Sequence, residues 1–231
     1  MTSKHLQRIV PLVFAAVLTS VVACRQAQAG SMSPLPAPVV DAPLAKASGH
    51  ETAVLSGGCF WGIQAVFEHV KGVISATSGY AGGEASTAHY EMVSDGNTGH
   101  AESVSVVYDP AQISYGELLR VFFSVAHDPT EINRQGPDTG TQYRSMISYA
   151  NPEQKRIADA YIQQLNNAKV FHRAIATQVV PLKGFYPAEA YHQDYAAHHP
   201  DDPYIYFNDA PKVEHLKKQF PELYMQSVSQ R

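Results

Sequence analysis

The order of apolar segments after residue 50 constrains the fold of this chain most strongly. Short β-rich runs alternate with segments whose apolar residues recur at helical spacing. The predicted strands cover residues 53–55, 73–80, 103–108 and 144–149, and predicted helices follow Cys59 and Ser114. This β-α-β-β-α-β order is typical of an α/β (α+β) two-layer sandwich with a ferredoxin-like core.

Capping signals support two of the helices. Ser114 is followed three residues later by Glu117, which forms a capping-box pattern. Asn151 and Pro152 suit the N-cap and the first turn of a further helix. A predicted strand at residues 177–182 and a helical segment at 188–199 come next. We therefore expect additional C-terminal helices after the core.

The N-terminus has the features of an export signal. Lys4 and Arg8 precede an apolar run over residues 9–23, and Ala27-Gln28-Ala29 forms an A-x-A cleavage site. The apolar run has about fifteen residues, short of the roughly 20 that a membrane span needs. This pattern predicts a signal peptide over residues 1–29.

A lipoprotein signal is the alternative for the same segment. Residues 21–24, Val-Val-Ala-Cys, resemble a bacterial lipobox, in which residues 1–23 are removed and Cys24 carries the lipid. Both alternatives stay open on the sequence alone. Both remove Cys24 as a usable thiol, and both predict export to the periplasm or cell envelope.

Composition divides the rest of the chain into three parts. Residues 30–50 are rich in Pro, Ala and Ser and are predicted to form a flexible linker. Residues 51–207 carry the pattern of strands and helices, so we predict one domain there. Residues 208–231 are predicted to form a C-terminal extension with a short helix, packed on the domain or trailing from it.

The charge of the chain argues against a nucleic-acid-binding protein. Only 16 % of the residues are charged and the net charge is -4, so no basic surface is expected. The 13 tyrosines each carry a hydroxyl on an apolar ring. They suit a pocket for a small polar substrate with an apolar tail.

Cys59 is the one thiol outside the leader segment. It lies in the run Gly57-Gly58-Cys59-Phe60-Trp61-Gly62, where the first strand is predicted to turn into the first helix. A thiol at a helix N-terminus meets unpaired backbone N–H groups and the positive end of the helix dipole, so we expect its pKa to be lowered. The alternative is an inert core cysteine, because free cysteines are often buried.

Eight short motifs that carry polar, aromatic and glycine residues follow one another along the chain. They are Gly58-Cys59-Phe60-Trp61-Gly62, Gly79-Tyr80-Ala81-Gly82-Gly83, Gly99-His100-Ala101-Glu102, His127-Asp128-Pro129, Arg134-Gln135-Gly136-Pro137-Asp138, Gly140-Thr141-Gln142-Tyr143-Arg144-Ser145, Phe185-Tyr186-Pro187-Ala188-Glu189 and Tyr191-His192-Gln193-Asp194-Tyr195. In this order and spacing, residues 54–204 resemble the peptide methionine sulfoxide reductases of type A. One such motif is a weak signal, whereas the ordered set is specific.

The resemblance implies an oxidoreductase that reduces methionine-(S)-sulfoxide, free or in proteins, to methionine. Cys59 is the implied nucleophile, which attacks the sulfoxide sulfur and is left as a sulfenic acid. The other implied site residues are the acid Glu102, the hydroxyl donors Tyr90 and Tyr143, the S-methyl cage of Phe60 and Trp61, and the substrate contact Asp138. No metal and no organic cofactor are implied. Together with export, the resemblance predicts the repair of oxidised envelope proteins under oxidative stress.

The chain departs from the family pattern in its cysteines. Many members carry one or two resolving cysteines, often near the C-terminus, whereas this chain has none after Cys59, and Ser94 stands where some members have another. The sulfenic acid must then be reduced by an external thiol, so we predict a thioredoxin-like or glutaredoxin-like partner. We expect the enzyme to be a monomer.

Two other functions remain open on the sequence. A Cys-dependent acyl transferase or hydrolase would need a histidine to activate Cys59, and His100, His127 and His192 fall in suitable predicted loops. Structural hydrogen bonding is the favoured interpretation of these three histidines. The second alternative is a non-enzymatic envelope binding module whose Tyr-lined pocket holds apolar peptide side chains.

Overall fold

The computed structural model describes residues 34–227 of the 231-residue chain. The predicted signal segment and the Cys24 lipidation site lie outside the described residues. Residues 228–231, at the end of the predicted extension, lie outside them as well. Within residues 34–227, no helix is both long enough and apolar enough to cross a membrane.

The strands and helices of the predicted core are present in the predicted order. The helix predicted at residues 188–199 is limited to a short segment that follows Asp194, whose φ is +54°. The strands are β1 (Glu51–Ser56), β2 (Val73–Ala81), β3 (Ala101–Tyr108), β4 (Arg134–Gln135), β5 (Asp138–Thr139), β6 (Met146–Tyr149), β7 (Gln178–Pro181) and β8 (Phe185–Pro187). The helices are α1 (Phe60–Glu68), α2 (Tyr90–Ser94), α3 (Tyr115–Val121), α4 (Pro152–Asn167), α5 (Tyr195–His198) and α6 (Ala210–Gln219).

Six of the strands form one sheet in the order β7-β6-β1-β3-β2-β8, and β4 and β5 form a separate hairpin. β1 pairs antiparallel with both β3 and β6, and β3 pairs antiparallel with β2. Helix α1 therefore connects β1 to β2 across the intervening β3, which is the split β-α-β arrangement of ferredoxin-like folds. The predicted α/β (α+β) class with this core is confirmed. Helix α4 adds a further strand, β7, parallel to β6.

Alternating side chains of β1 belong to two apolar clusters. Ala53 and Leu55 are fully buried in the large cluster that joins the sheet to the helices. Val54 belongs to a small cluster on the other face, together with Ala101 and Met146. Successive side chains of a strand point to opposite faces, so both faces of β1 are covered. The chain thus enters the α1 turn from a strand that is fixed on both sides.

Both predicted capping signals are confirmed by hydrogen bonds. Ser114 Oγ accepts the backbone N–H of Glu117 at 3.1 Å at the start of α3. Asn151 Oδ1 accepts the backbone N–H of Gln154 at 2.9 Å at the start of α4. A polar side chain at the N-cap satisfies one of the free N–H groups of the first turn, which is why these two helices begin where they do.

Residues 34–50 lie against the domain, whereas their composition predicted a flexible linker. Arg120 Nε donates to the Leu35 carbonyl at 2.7 Å. The Asp41 carboxylate accepts the backbone N–H of Gly116 at 2.8 Å. Pro- and Ala-rich composition carries no information about such partners, because α3 and its flanking residues supply them from about 75 to 85 positions further along the chain.

The predicted domain limit at residue 207 falls inside a helical turn, Ile205–Asp209, that continues into α6. Helix α6 packs against α1. Leu216 of α6 and Phe220, which follows it, are fully buried in the main core. The described part of the extension is therefore packed on the domain, the first of the two arrangements that the sequence left open.

Candidate active site

Cys59 ends the tight turn between β1 and α1 and occupies the N-cap position of that helix. Gly58 adopts a φ of +98°, a backbone conformation that glycine tolerates best. A Cβ at Gly58 would also lie 2.6 Å from Gln135 Cγ, closer than real contacts allow. The turn therefore requires glycine. It delivers the thiol to the start of α1, as the sequence predicted.

Glu102 is the second residue of β3 and lies beside the first turn of α1. Its Oε2 accepts the backbone N–H of Phe60 at 3.0 Å, and only 3 % of the residue is exposed. Burial raises the pKa of Glu102 to about 8, although the Phe60 N–H opposes this, and the charges of Asp138 and Asp209 raise the pKa as well. The carboxyl is therefore protonated near neutral pH, the state that a proton donor needs.

The ionisation of Cys59 differs from the sequence prediction. Burial raises the pKa of this thiol well above its usual value, and the charges of Glu102 and Asp209 raise it further. The backbone N–H of Trp61 and the Lys212 ammonium lower it. The predicted net lowering is wrong because Cys59 is only 7 % exposed, so desolvation of the thiolate outweighs the helix N-terminus.

The pKa values of Tyr90 and Tyr143 both depend on burial and on the charge of Glu102. Burial raises the pKa of both phenols, and the charge of Glu102 is the next cause in each case. Asp138 and Cys59 also raise both pKa values. The structure thus brings these five predicted site residues into one electrostatic cluster. Because the two phenols stay protonated, each can donate a hydrogen bond into the cluster.

Phe60 and Trp61 begin an aromatic wall next to this cluster. Their ring centroids lie 6.4 Å apart and the rings are tilted by 44°. Tyr195 stacks on Trp61 with centroids 3.8 Å apart and planes 11° apart, and Tyr204 meets the indole edge-on at 6.0 Å. Such a wall suits a small apolar group held beside polar donors. This is the environment that the predicted S-methyl cage requires.

Sequence reasoning gave no role to Tyr195 and Tyr204, and it gave His192 only a structural hydrogen bond without a partner. Trp61 Nε1 donates to His192 Nδ1 at 3.2 Å, which helps to fix the indole plane. The Tyr204 hydroxyl donates to the Asp138 carboxylate, so Asp138 is held from the C-terminal side of the chain. His192 and Tyr195 both lie in the motif that runs from Tyr191 to Tyr195. Their place in this motif was the signal in the sequence that could have assigned them to the site.

The three histidines that a hydrolase would use to activate Cys59 have other partners. His100 binds backbone groups, His127 binds Ser145 and a backbone carbonyl, and His192 accepts from an indole N–H. Burial lowers the pKa of His127 to about 3, so this ring is uncharged. Among the described residues, no histidine hydrogen-bonds to Cys59. The structure thus supports the structural interpretation of all three.

The chemical capacity of the site follows from these groups. It combines a buried thiol, an uncharged carboxyl and two phenols with an aromatic wall. In residues 34–227, no group of three or more His, Cys, Asp and Glu side chains could hold a metal ion. The site can therefore offer a nucleophile and protons to a small neutral substrate that carries one polar oxygen and one apolar group.

Comparison with known proteins gives one consistent result. The family described as peptide methionine sulfoxide reductase matches residues 51–224. A relative from Mesorhizobium japonicum, named peptide methionine sulfoxide reductase MsrA 2, is 57 % identical over 77 % of this chain and 91 % of its own. A relative of the same name from Synechocystis is 53 % identical over 81 % of this chain and 89 % of its own.

Solved structures agree with these relatives. Methionine sulfoxide reductase A of Corynebacterium diphtheriae aligns with a TM-score of 0.57 and 37 % identity, covering 73 % of this chain and 84 % of its own. The reduced form of Mxr1 from Saccharomyces cerevisiae aligns with a TM-score of 0.58 and 33 % identity, covering 68 % of this chain and 93 % of its own. The resemblance seen in the motifs is confirmed, and the chain belongs to the type A family of peptide methionine sulfoxide reductases.

Proposed function

We propose that this peptide-methionine (S)-S-oxide reductase uses Cys59 as its nucleophile and Glu102 as its proton donor, and that it repairs oxidised methionine in proteins of the cell envelope. The hydrogen bond between the Phe60 N–H and Glu102 Oε2 is the observation that carries the proposal. It ties an uncharged carboxyl to the residue directly after the thiol. A sulfoxide oxygen is a poor leaving group until it is protonated, so the acid must stand beside the nucleophile.

The proposed step balances as an oxygen transfer. The Cys59 sulfur forms a bond to the sulfoxide sulfur, and Glu102 protonates the sulfoxide oxygen. The S–O bond of the substrate then breaks and the hydroxyl passes to the Cys59 sulfur, while the bond between the two sulfurs breaks and releases the substrate as a thioether. Cys59 is left as a sulfenic acid. The substrate sulfur gains two electrons and Cys59 loses two. The thiol proton replaces the one that Glu102 gives up, so the carboxyl is restored.

Binding roles are proposed for the remaining site residues. The Tyr90 and Tyr143 hydroxyls donate hydrogen bonds to the sulfoxide oxygen, and both are kept protonated by burial and by nearby negative charge. Phe60 and Trp61 enclose the S-methyl group. Asp138, held by Tyr204, contacts the polar part of the substrate. The close stacking of Tyr195 on the indole supports this arrangement.

An external thiol reductant completes the proposed cycle. The chain has 2 cysteines, and Cys24 lies in the predicted leader, so Cys59 has no resolving partner in the folded domain. We propose a thioredoxin-like or glutaredoxin-like dithiol protein as the reductant. One of its thiols attacks the sulfenic sulfur and releases water, and its second thiol then displaces Cys59 as a thiol. Since Cys59 is buried, the partner must approach the wall of the pocket closely.

Export and attachment to the envelope rest on the N-terminal sequence alone. We propose that the enzyme works as a monomer in the periplasm or on the envelope. The soluble form follows from cleavage after Ala29, and the lipidated form follows from cleavage before Cys24. Globomycin treatment and the mass of the mature N-terminus distinguish the two forms, because only the lipoprotein accumulates as an uncut precursor.

The test of the proposed chemistry uses Cys59→Ser and trapping of the intermediate. Wild-type protein given methionine-(S)-sulfoxide without reductant should form one sulfenic acid at Cys59, which dimedone labels and mass spectrometry detects. Cys59→Ser should show no labelling at this peptide and no turnover, and Cys24→Ser in the full chain should match wild type. Turnover by Cys59→Ser would refute the proposal. An acyl-thioester formed with ester substrates would instead support a hydrolase, and binding without reaction would support a binding module.

A further inference from the structure

A partly buried ion pair from the C-terminal segment lies at the first turn of α1. Lys212 Nζ lies 2.9 Å from Asp209 Oδ1, and the two side chains are 17 % and 0 % exposed. Asp209 occupies the N-cap position of α6, yet its side chain makes no capping hydrogen bond. Its second oxygen, Oδ2, is buried and has no hydrogen-bond partner among the described residues. The Asp209 carboxylate therefore does not cap α6, although aspartate is one of the preferred N-cap residues.

Gly62 makes the space in which this ion pair sits. A Cβ at Gly62 would overlap Asp209 Oδ1 and would lie 2.7 Å from Lys212 Nζ. Gly62 is three residues after Cys59, and residues at this spacing share one side of a helix. The ion pair therefore rests on the bare backbone of α1 on the side where Cys59 begins the helix.

The charged groups that act on Cys59 come from three elements. Glu102 acts from β3, Asp209 from the turn before α6, and Lys212 from α6 itself. Lys212 is the one cation whose charge acts on this thiol among the described residues. The charge of Cys59 in turn contributes to the raised pKa values of four phenols: Tyr90, Tyr143, Tyr195 and Tyr204. Since Glu102 is uncharged near neutral pH, the ion pair is the principal charged pair beside the thiol.

Other titratable groups around the ion pair do not cancel its effect. Burial raises the pKa of Asp209, and the charges of Asp138 and Asp202 raise it as well, whereas Lys212 lowers it through its charge and its hydrogen bond. His127 responds to Lys212 but is itself uncharged. The Lys212 ammonium thus favours the charged form of the Asp209 carboxylate, against the effect of burial.

We propose that Asp209 and Lys212 are positioning residues that set how much of Cys59 is present as the reactive thiolate. Lys212 stabilises the thiolate, and Asp209 opposes it while holding the ammonium on α1. This inference rests on the proposed role of Cys59 as the nucleophile. The described part of the C-terminal segment contains no resolving cysteine. Under this proposal the segment instead controls the ionisation of Cys59.

The pH dependence of Cys59 alkylation by iodoacetamide measures the thiolate directly. The full chain is used, and mass spectrometry follows the peptide that contains Cys59. Asp209→Asn should move the alkylation midpoint to lower pH by about one unit, because it removes the opposing charge and leaves the ammonium. Adding Lys212→Met to Asp209→Asn should move the midpoint back to higher pH, because the ammonium that stabilises the thiolate is removed. Residue 209 cannot titrate in this background, so it does not contribute to the shift.

The alkylation midpoint is expected to move in opposite directions in the two steps, and this distinguishes the electrostatic role from a loosening of the packing around Cys59. A loosened site would expose Cys59 and lower the midpoint in both the single and the double variant. Lys212→Arg in the Asp209→Asn background should keep the low midpoint, since the cation is preserved. Arg156→Met, which breaks a comparable i,i+3 ion pair on the exposed side of α4, should leave the midpoint unchanged.

The inference is overturned if Asp209→Asn does not lower the midpoint, or if Lys212→Met added to it does not raise the midpoint. The alkylation assay needs neither sulfoxide nor reductant. Its failure is therefore distinct from failure of the proposed function, which would appear as turnover by Cys59→Ser.

Discussion

Glu102 Oε2 accepts the backbone N–H of Phe60 at 3.0 Å, so the Glu102 carboxyl is fixed to the first residue of the helix that follows Cys59. Both partners are almost fully buried, with 3 % and 1 % of their surface exposed. The sheet and the helix therefore fix the Glu102 carboxyl relative to the Cys59 thiol through regular secondary structure. This relation makes the behaviour of Glu102 the sharpest test of the site.

Glu102→Gln should reduce kcat by about 100-fold or more, because the amide keeps the shape of the side chain but is not an acid. Steady-state turnover of methionine-(S)-sulfoxide gives the measurement. The loss should shrink for substrates whose oxygen is already a better leaving group. An unchanged rate in a folded variant would remove Glu102 as the proton donor.

The activity should also depend on pH through Glu102. Burial raises its pKa to about 8, so the carboxyl is a proton donor below that pH and loses its proton above it. The rate of the first turnover should therefore fall as the pH rises through about 8. Single-turnover kinetics across this range give the midpoint. If Glu102→Gln shows the same fall at the same midpoint, another group causes it.

Stability should respond to the same ionisation. The folded pKa of Glu102, about 8, is higher than the ordinary value of 4.5, so the folded state binds the proton more tightly than the unfolded state does. This contribution to stability is complete below pH 4.5 and is lost as the pH rises to about 8. Urea midpoints should decline across that window in wild type. In Glu102→Gln the decline should be smaller, and an equal decline would show that other groups cause it.

Tyr195→Ala should weaken substrate binding more than it slows the chemical step. Loss of the ring that stacks on Trp61 at 3.8 Å removes support worth about 1 kcal/mol, which corresponds to a several-fold rise in KM. Tyr195→Phe is the matched control, since it keeps the ring and loses only the hydroxyl. Equal KM values for the two variants would mean that the stacked ring does not hold the indole in place.

Asn151→Ala should destabilise the fold and leave the chemistry unchanged. The side chain caps α4 through a 2.9 Å hydrogen bond to the Gln154 N–H, and loss of such a cap costs about 1 kcal/mol. Urea unfolding measures the loss, and kcat should stay at the wild-type value. Gln163→Ala, at an exposed position of the same helix, is the control and should change stability by a few tenths of a kcal/mol at most. An unaltered stability in Asn151→Ala would show that the cap contributes nothing.

The features that the sequence predicted well are those that depend on local spacing. Helical and strand periodicity gave the order of the elements, and the two caps needed only three-residue spacings around Ser114 and Asn151. Cys59 was placed at the start of α1 for the same reason. Glu102 was selected by a motif and not by geometry, because its partner Phe60 is 42 positions away.

Features that depend on distant contacts were not predictable in this way. His192 supports Trp61 from 131 positions away, and Tyr204 holds Asp138 from 66 positions away. No periodicity links such pairs. The raised pKa of Cys59 has the same origin, because burial is a property of the assembled core, whereas the helix N-terminus that suggested a lowered pKa is local.

The docking of residues 34–50 has a consequence for the working range of the enzyme. If Cys24 carries a lipid, a free linker over residues 35–51 would add up to about 55 Å to the distance between the membrane and the domain, at about 3.5 Å per extended residue. Because Leu35 is already bonded to Arg120, this additional reach is lost. A lipidated enzyme would therefore repair oxidised methionines closer to the bilayer surface than the composition of residues 34–50 suggests.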